Sequence, residues 1–414
     1  MRNKILQHLD NTKELEKLYR ENKDIFIKEF NTIYPENQEH KILNFWYERL
    51  HYESTTSLKR EKNESIIVIV FALLAGLIAN IPNITGIDKE NFLIRNVSFI
   101  IFPVLMAYFI WKQKLEIKKW ILPFINILIA IIYINLLPNN LSSSSINLCF
   151  IHLPIFLWAA FGYTYLGDNT KSLERRIHFL RYNGDLIIMS GILILSTMLF
   201  SALTIGLFKL IDIHIENFYT QYILIWGLAA IPIVANHFIQ NNTQLINKVS
   251  PIVAKIFTPL VCINLFIYLC AMISTKKFPY QDRNLLLLFN ILLIGVMALI
   301  LFTIAETGKT SKNKFNLVTL FILSILTIIV NGIALSAIIF RINEYGISPN
   351  RIAVLGGNIL IFVNILFVAY KLFLCSFKNK GVEIIEESIA SYLPLYGIWA
   401  GIVVFIIPIL FHFN

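Results

Sequence analysis

The chain has 414 residues, 56% hydrophobic and 15% charged, with a mean hydropathy of +0.65 and a net charge of +10. Soluble domains carry about a quarter charged residues, so an ordinary water-soluble globule is excluded, and no nucleic-acid-binding module is visible. Residues 1–64 hold 12 Lys/Arg and 12 Asp/Glu, so the whole positive excess lies in the remaining 350 residues.

The first twenty residues are charged and carry no short apolar core before a cleavage site. The apolar run from Ser65 is therefore expected to act as an uncleaved signal anchor. Within 1–64, Leu6, Leu9, Leu15, Leu18, Tyr19, Ile25, Phe26 and Phe30 recur at helical spacing. Pro35 breaks that pattern, and a second helix is expected through Ile42, Leu43, Phe45, Trp46 and Leu50. The expectation is a small cytosolic helical hairpin with one apolar face. That face would pack on the bundle, lie on the lipid interface or dock a cytosolic protein partner.

Beyond it, eleven apolar runs are long enough for about 30 Å of hydrocarbon: 65–86, 92–111, 120–138, 146–166, 184–210, 218–239, 251–273, 284–305, 315–340, 351–373 and 391–413. The fold class predicted is an all-α polytopic transmembrane helix bundle in a lipid bilayer. Cations alternate between its two sides. Lys112, Lys114, Lys118, Lys119, Lys171, Arg175, Arg176, Arg181, Lys248, Lys309, Lys312, Lys314, Lys371, Lys378 and Lys380 fall on one side. Lys89, Arg95, Lys209, Lys276, Lys277, Arg283, Arg341 and Arg351 fall on the other. The positive-inside rule then puts the N-terminus in the cytosol and the C-terminus outside.

Several details bear on packing. The connection 139–145 (NNLSSSS) reads as a short exposed turn. Ser348-Pro349 supplies a helix N-cap followed by proline at the first helical position. Gly397-x-x-x-Gly401 and Ala353-x-x-x-Gly357 allow close helix contact. The strings GLIANIP (76–82) and GLAAIP (227–232) are similar and five spans apart, which would suit inverted halves. The four cysteines, Cys149, Cys262, Cys270 and Cys375, lie in apolar stretches and read as packing residues.

Chemistry inside the spans is sparse. Asp185 and Glu306 fall at span ends, where a helix meets water, and Lys255 can snorkel from one turn inside. A carrier cycling a mid-span carboxylate is therefore disfavoured. Amides are numerous within the spans, among them Asn126, Asn135, Asn264, Asn290, Asn331, Asn358 and Asn364. They suit interhelical hydrogen bonds, or, chiefly through Asn126, Asn264, Asn290, Asn331 and Asn358, a polar path for an uncharged solute. His152 and His237 stand alone, with no zinc, nucleophile-elbow or phosphate-loop motif, so no catalytic residue, metal site or cofactor is assigned. Trp46, Trp111 and Trp120 are placed near membrane interfaces.

The segment Arg341-Ile342-Asn343-Glu344-Tyr345-Gly346-Ile347-Ser348-Pro349-Asn350-Arg351 stands out. Arg341 and Glu344 are three apart and can pair on one helix face. Arg351 can bind a carboxylate or phosphate through its planar fork. Either Glu344 holds both arginines and locks two helices, or Arg341, Glu344, Tyr345, Asn350 and Arg351 form a binding site for an anion or lipid head group. The string R-I-x-E-Y-G-I-S-x-N-R resembles the signature of the bacterial family known as domain of unknown function 4153. That family usually has Thr where Ser348 stands. The resemblance implies a multi-pass protein of the bacterial inner membrane and supplies no activity or substrate.

Three functions are compatible with these features. The first is a non-enzymatic membrane protein that transports or binds a small solute or lipid-like molecule. The others are a membrane-embedded transferase acting on a lipid-linked anionic substrate, and a scaffold or sensor that docks a partner through residues 1–64.

Overall fold

The computed structural model describes the backbone of residues 1–140, 142–209, 214–241, 243–275, 279–280, 283–310, 314–378 and 380–413. Side chains are described for the same residues except 24, 51–63, 207, 243–250, 252, 271, 283–285 and 307–310. Among the sequence-derived cations, the side chains of Lys248, Lys276, Lys277, Arg283, Lys309 and Lys312 lie outside the described residues. The chain forms two compact units, Met1–Ile69 and Val70–Asn414.

The first unit contains α1 (Arg2–Gln7), α2 (Thr12–Glu21), α3 (Lys23–Ile33), a 3-10 turn at Tyr34–Glu36 and most of α4 (Lys41–Ala79). The apolar periodicity suggested a hairpin, whose first arm is instead three helices. Asn11 and Asn22 make the difference: each side-chain oxygen accepts a backbone N–H three residues on, from Glu14 and Ile25, at 3.2 Å. Asparagine competes in this way for the donors at a helix start, so each begins a new helix. The change of direction turns the apolar positions inward, and Leu15, Phe26, Phe30, Leu43 and Trp46 are buried together. Trp46 lies 5.2 Å from Phe26 and 5.5 Å from Tyr19 between ring centroids. The tryptophan expected at a membrane interface is thus a core residue of this unit.

The second unit is all-helical among the described residues. α5 (Ile81–Thr85) follows a break at Asn80, whose side-chain amide donates to Gly76 O at 2.9 Å. Then come α6 (Lys89–Gln113), α7 (Ile117–Leu136), α8 (Ser144–Leu166) and α9 (Leu173–Lys209). α10 (Glu216–Phe218) runs through a π-helical stretch, Tyr219–Leu224, into α11 (Ile225–Asn241). α12 (Thr243–Thr275), α13 (Arg283–Thr310), α14 (Lys314–Tyr345) and α15 (Pro349–Phe377) follow. α16 (Glu383–Gly401) continues through a second π-helical stretch, Ile402–Ile406, into α17 (Ile407–Leu410).

Among the described residues, ten of these helical runs are long and apolar enough to cross a membrane. At a rise of about 1.5 Å per residue even the 20-residue α7 reaches about 30 Å. The expected first span, 65–86, falls on the last part of the 39-residue α4 and on α5, with the break at Asn80 between them. Among the described residues, ten long apolar helices thus stand at the second to eleventh of the predicted spans. This is the architecture of a multi-pass integral membrane protein.

α14 packs along α15, and α12, α13 and α16 complete the main core with Leu293, Ile300, Leu320, Val330, Ile365 and Leu372. Small residues set the closest approaches. Gly397 faces Ala159 of α8, where an added Cβ would stand 2.6 Å from that of Ala159. Gly356 makes room for the Trp399 ring and Gly76 for the Trp226 ring. Leu195 (71% exposed), Phe200, Phe266 and Leu288 line the outside of the bundle, where lipid tails replace water as solvent.

Candidate functional site

The segment 341–351 forms the turn from α14 to α15. α14 continues to Tyr345, Gly346 takes φ +76°, and the Ser348 hydroxyl accepts the backbone N–H of Arg351 at 3.4 Å. Pro349 then opens α15, as the serine–proline pair predicted. Gly346 is the one position of the turn that needs the left-handed φ region glycine enters without cost.

Arg351 Nη1 donates to Tyr345 O at 2.8 Å and to Gly346 O at 2.7 Å, so backbone carbonyls hold this guanidinium beside the turn. Its Cζ lies 5.6 Å from the centroid of the Tyr345 ring, and that of Arg341 lies 5.5 Å from the same centroid. Two guanidiniums thus share one ring that is itself 60% exposed, within cation–π range. Glu344 is exposed and forms no ion pair within 4 Å among the described residues, so the expected lock through Glu344 is absent. Asn350 turns away, its amide donating to Ser144 Oγ at 3.2 Å and fastening the turn to α8. Of the five residues singled out, the structure brings together Arg341, Tyr345 and Arg351.

The asparagines divide in the same manner. Asn358 Nδ2 donates to Asn290 Oδ1 at 2.8 Å, and Asn331 Nδ2 donates to the Asn358 carbonyl at 3.0 Å. This chain stitches α13, α14 and α15 together. Asn126 and Asn264 do not join it, and Asn264 is on the exposed surface. Asn135 exchanges hydrogen bonds with Asn96, at 3.0 and 3.1 Å. Asn364 donates to the Tyr396 hydroxyl at 2.8 Å. His152 is a packing residue, with Nδ1 3.0 Å from Leu148 O. Asn135, Asn290, Asn331, Asn358 and Asn364 thus bond between helices, and the five residues proposed for a polar path are not brought together.

Charge is more deeply enclosed than the sequence suggested. Asp185 and Glu306, expected in water, are both buried, and Glu306 Oε1 lies 3.2 Å from Arg181 Nε. Arg181 also donates through Nε and Nη2 to Ala305 O, so α9 and α13 are joined by a guanidinium. Beside Glu306 a recess of about 20 Å³, room for one water, is lined by Thr258 and Thr303, whose hydroxyls are 2.9 Å apart. Arg95 is 6% exposed and uses all five N–H groups: Nε on Asn91 Oδ1, Nη1 on Ile134 O and Leu137 O, and Nη2 on Pro138 O and Asn139 Oδ1. These carbonyls close the C-terminal, negative end of α7. Local spacing offers no sign of the Arg181–Glu306 pair, because its members stand on helices far apart in the chain.

No protein-family model, curated protein or solved structure matches the chain.

Proposed function

We propose that this integral membrane protein binds the anionic group of a small solute or lipid-like molecule at the Arg341–Tyr345–Arg351 turn. The observation that carries the reading is the sharing of one exposed tyrosine ring by two arginines that Glu344 does not neutralise. An arginine fork held by carbonyls at one nitrogen keeps donors for a carboxylate or phosphate. Transport through the asparagines is the weaker form of the reading, because Asn290, Asn331 and Asn358 are engaged with one another. A transferase would need an acid or base in the turn, and its one candidate is the exposed Glu344.

Hydrogen exchange of the full-length protein tests this directly. In phosphatidylglycerol-containing bilayers, amides of 341–351 should exchange more slowly than in phosphatidylcholine alone. The Arg341→Gln/Arg351→Gln variant should remove that difference, with exchange elsewhere in α14 and α15 unchanged. Equal exchange of the turn in both bilayers would sink the proposal.

A further inference from the structure

The end of the bundle opposite the Tyr345 turn carries an open cavity of about 490 Å³, within the usual size of small-molecule sites. Five helical elements wall it, the ends of α6 and α8, the 3-10 turn Gly167–Asn169, the first turns of α9 and the last turn of α11, together with Leu115 of the α6–α7 connection. Gly167 shapes the mouth. Its φ of +55° bends the chain after α8, and a Cβ there would approach Gln113 Oε1 to 2.8 Å and Leu115 Cδ2 to 2.9 Å.

Lys112 and Arg175 supply the cationic side of the lining, with the His178 imidazole beside them. Lys112 Nζ donates to the Tyr108 hydroxyl at 3.0 Å, which fixes the ammonium at the wall. Arg175 Nη1 donates to Leu166 O at 3.1 Å, which positions the guanidinium and leaves Nε and Nη2 to donate elsewhere. The lining's one carboxylate, Asp168, is already 3.4 Å from Lys119 Nζ. Glu174, outside the lining and largely exposed, is 4.0 Å from His178 Nε2. Among the described lining residues two cations, Lys112 and Arg175, thus stand against one carboxylate. Its other face is apolar and aromatic, with the Phe109 and Tyr165 rings 4.9 Å apart between centroids.

We infer that this cavity binds a phosphate ester with an apolar portion, its phosphate between Lys112 and Arg175 and its apolar portion against Phe109 and Tyr165. Ammonium, guanidinium and the Gln240 amide together offer more N–H donors than one carboxylate fits, whereas a phosphate presents several strong acceptor oxygens. Topology alone explains why cations gather at this end. It does not explain why two of them line a hollow with an aromatic wall. The ester can be the head group of a phospholipid or a soluble phosphorylated solute.

The test uses full-length protein in phosphatidylcholine nanodiscs with and without phosphatidic acid, read by native mass spectrometry, with glycerol 3-phosphate as competitor. Wild type should retain phosphatidic acid over phosphatidylcholine. Arg175→Gln and Lys112→Gln should each weaken retention about tenfold, the scale of one charge-assisted hydrogen bond. Lys118→Gln, an exposed cation outside the lining, should change it by less than about twofold. Competition by glycerol 3-phosphate assigns the soluble source; retention without competition assigns the lipid. If Arg175→Gln does not fold, Lys112→Gln and its rescue by Lys112→Arg decide the question. Equal weakening by Lys118→Gln, or no retention of either probe, overturns the inference. The site lies at the other end of the bundle from the Arg341–Tyr345–Arg351 turn, so failure at one leaves the other standing.

Discussion

In the amino-terminal unit Phe26, Phe30 and Trp46 are withdrawn from the surface, while Glu16, Arg20 and Arg49 form ion pairs on it. In the bundle Leu195 and Phe200 face outward, while Arg95, Arg181 and Glu306 are enclosed. The same chain thus follows two partition rules. Water rewards the burial of rings and leaves charge outside. Lipid gives no gain for burying Leu195, yet forces each polar group to find a partner within the protein.

The largest test of that contrast is Trp46→Ala. Loss of a buried aromatic should destabilise the amino-terminal unit by about 3–5 kcal/mol, read in the full-length protein as faster hydrogen exchange over α2 and α3. Leu195→Ala, a truncation at the lipid face, should cost about 0.5 kcal/mol or less. Similar costs at both positions would erase the contrast.

Next in size is Glu306→Gln. Removing one partner of a buried pair costs about 3–5 kcal/mol, and the lower end is expected because Arg181 keeps Ala305 O as an acceptor. Detergent-unfolding midpoints of the full-length protein should show it. A neutral result would mean that the Ala305 carbonyl alone suffices to hold the Arg181 guanidinium in the bundle.

The smallest effect belongs to Glu16. Hydrogen bonds from Arg20 and then Arg49 hold its carboxyl below the ordinary carboxylate value. A depressed folded-state value means that the stabilisation is present above the unfolded carboxylate range and is lost as pH falls through the folded value. Acidification should therefore lower the protection of α2 amides relative to their intrinsic exchange rate, and Arg49→Ala should flatten that dependence. An unchanged profile in Arg49→Ala would show that Arg20 alone is responsible.

Run length made the ten long helices legible, because lipid thickness writes itself into the chain as uninterrupted apolar residues. Ser348 was legible too, since a cap acts over three residues. The amino-terminal unit was harder: its apolar spacing is helical throughout, and only the Asn11 and Asn22 caps turn one helix into three. At the 341–351 turn, spacing favoured Arg341–Glu344. The Tyr345 ring, one position further along the same helix face, takes the guanidinium instead. The Lys112–Arg175 cavity was legible only as a count of cations, because the hollow requires five helical elements to meet.

Every hydrogen-bond acceptor of Arg95 lies between Asn91 and Asn139. The α6–α7 pair therefore brings its own neutralising dipoles, and can enter the bilayer as a finished hairpin before α8 is synthesised. Arg181 differs, since its carboxylate partner emerges from the ribosome four helices later. Order of synthesis thus separates the two buried arginines: one is satisfied at insertion, the other only at assembly.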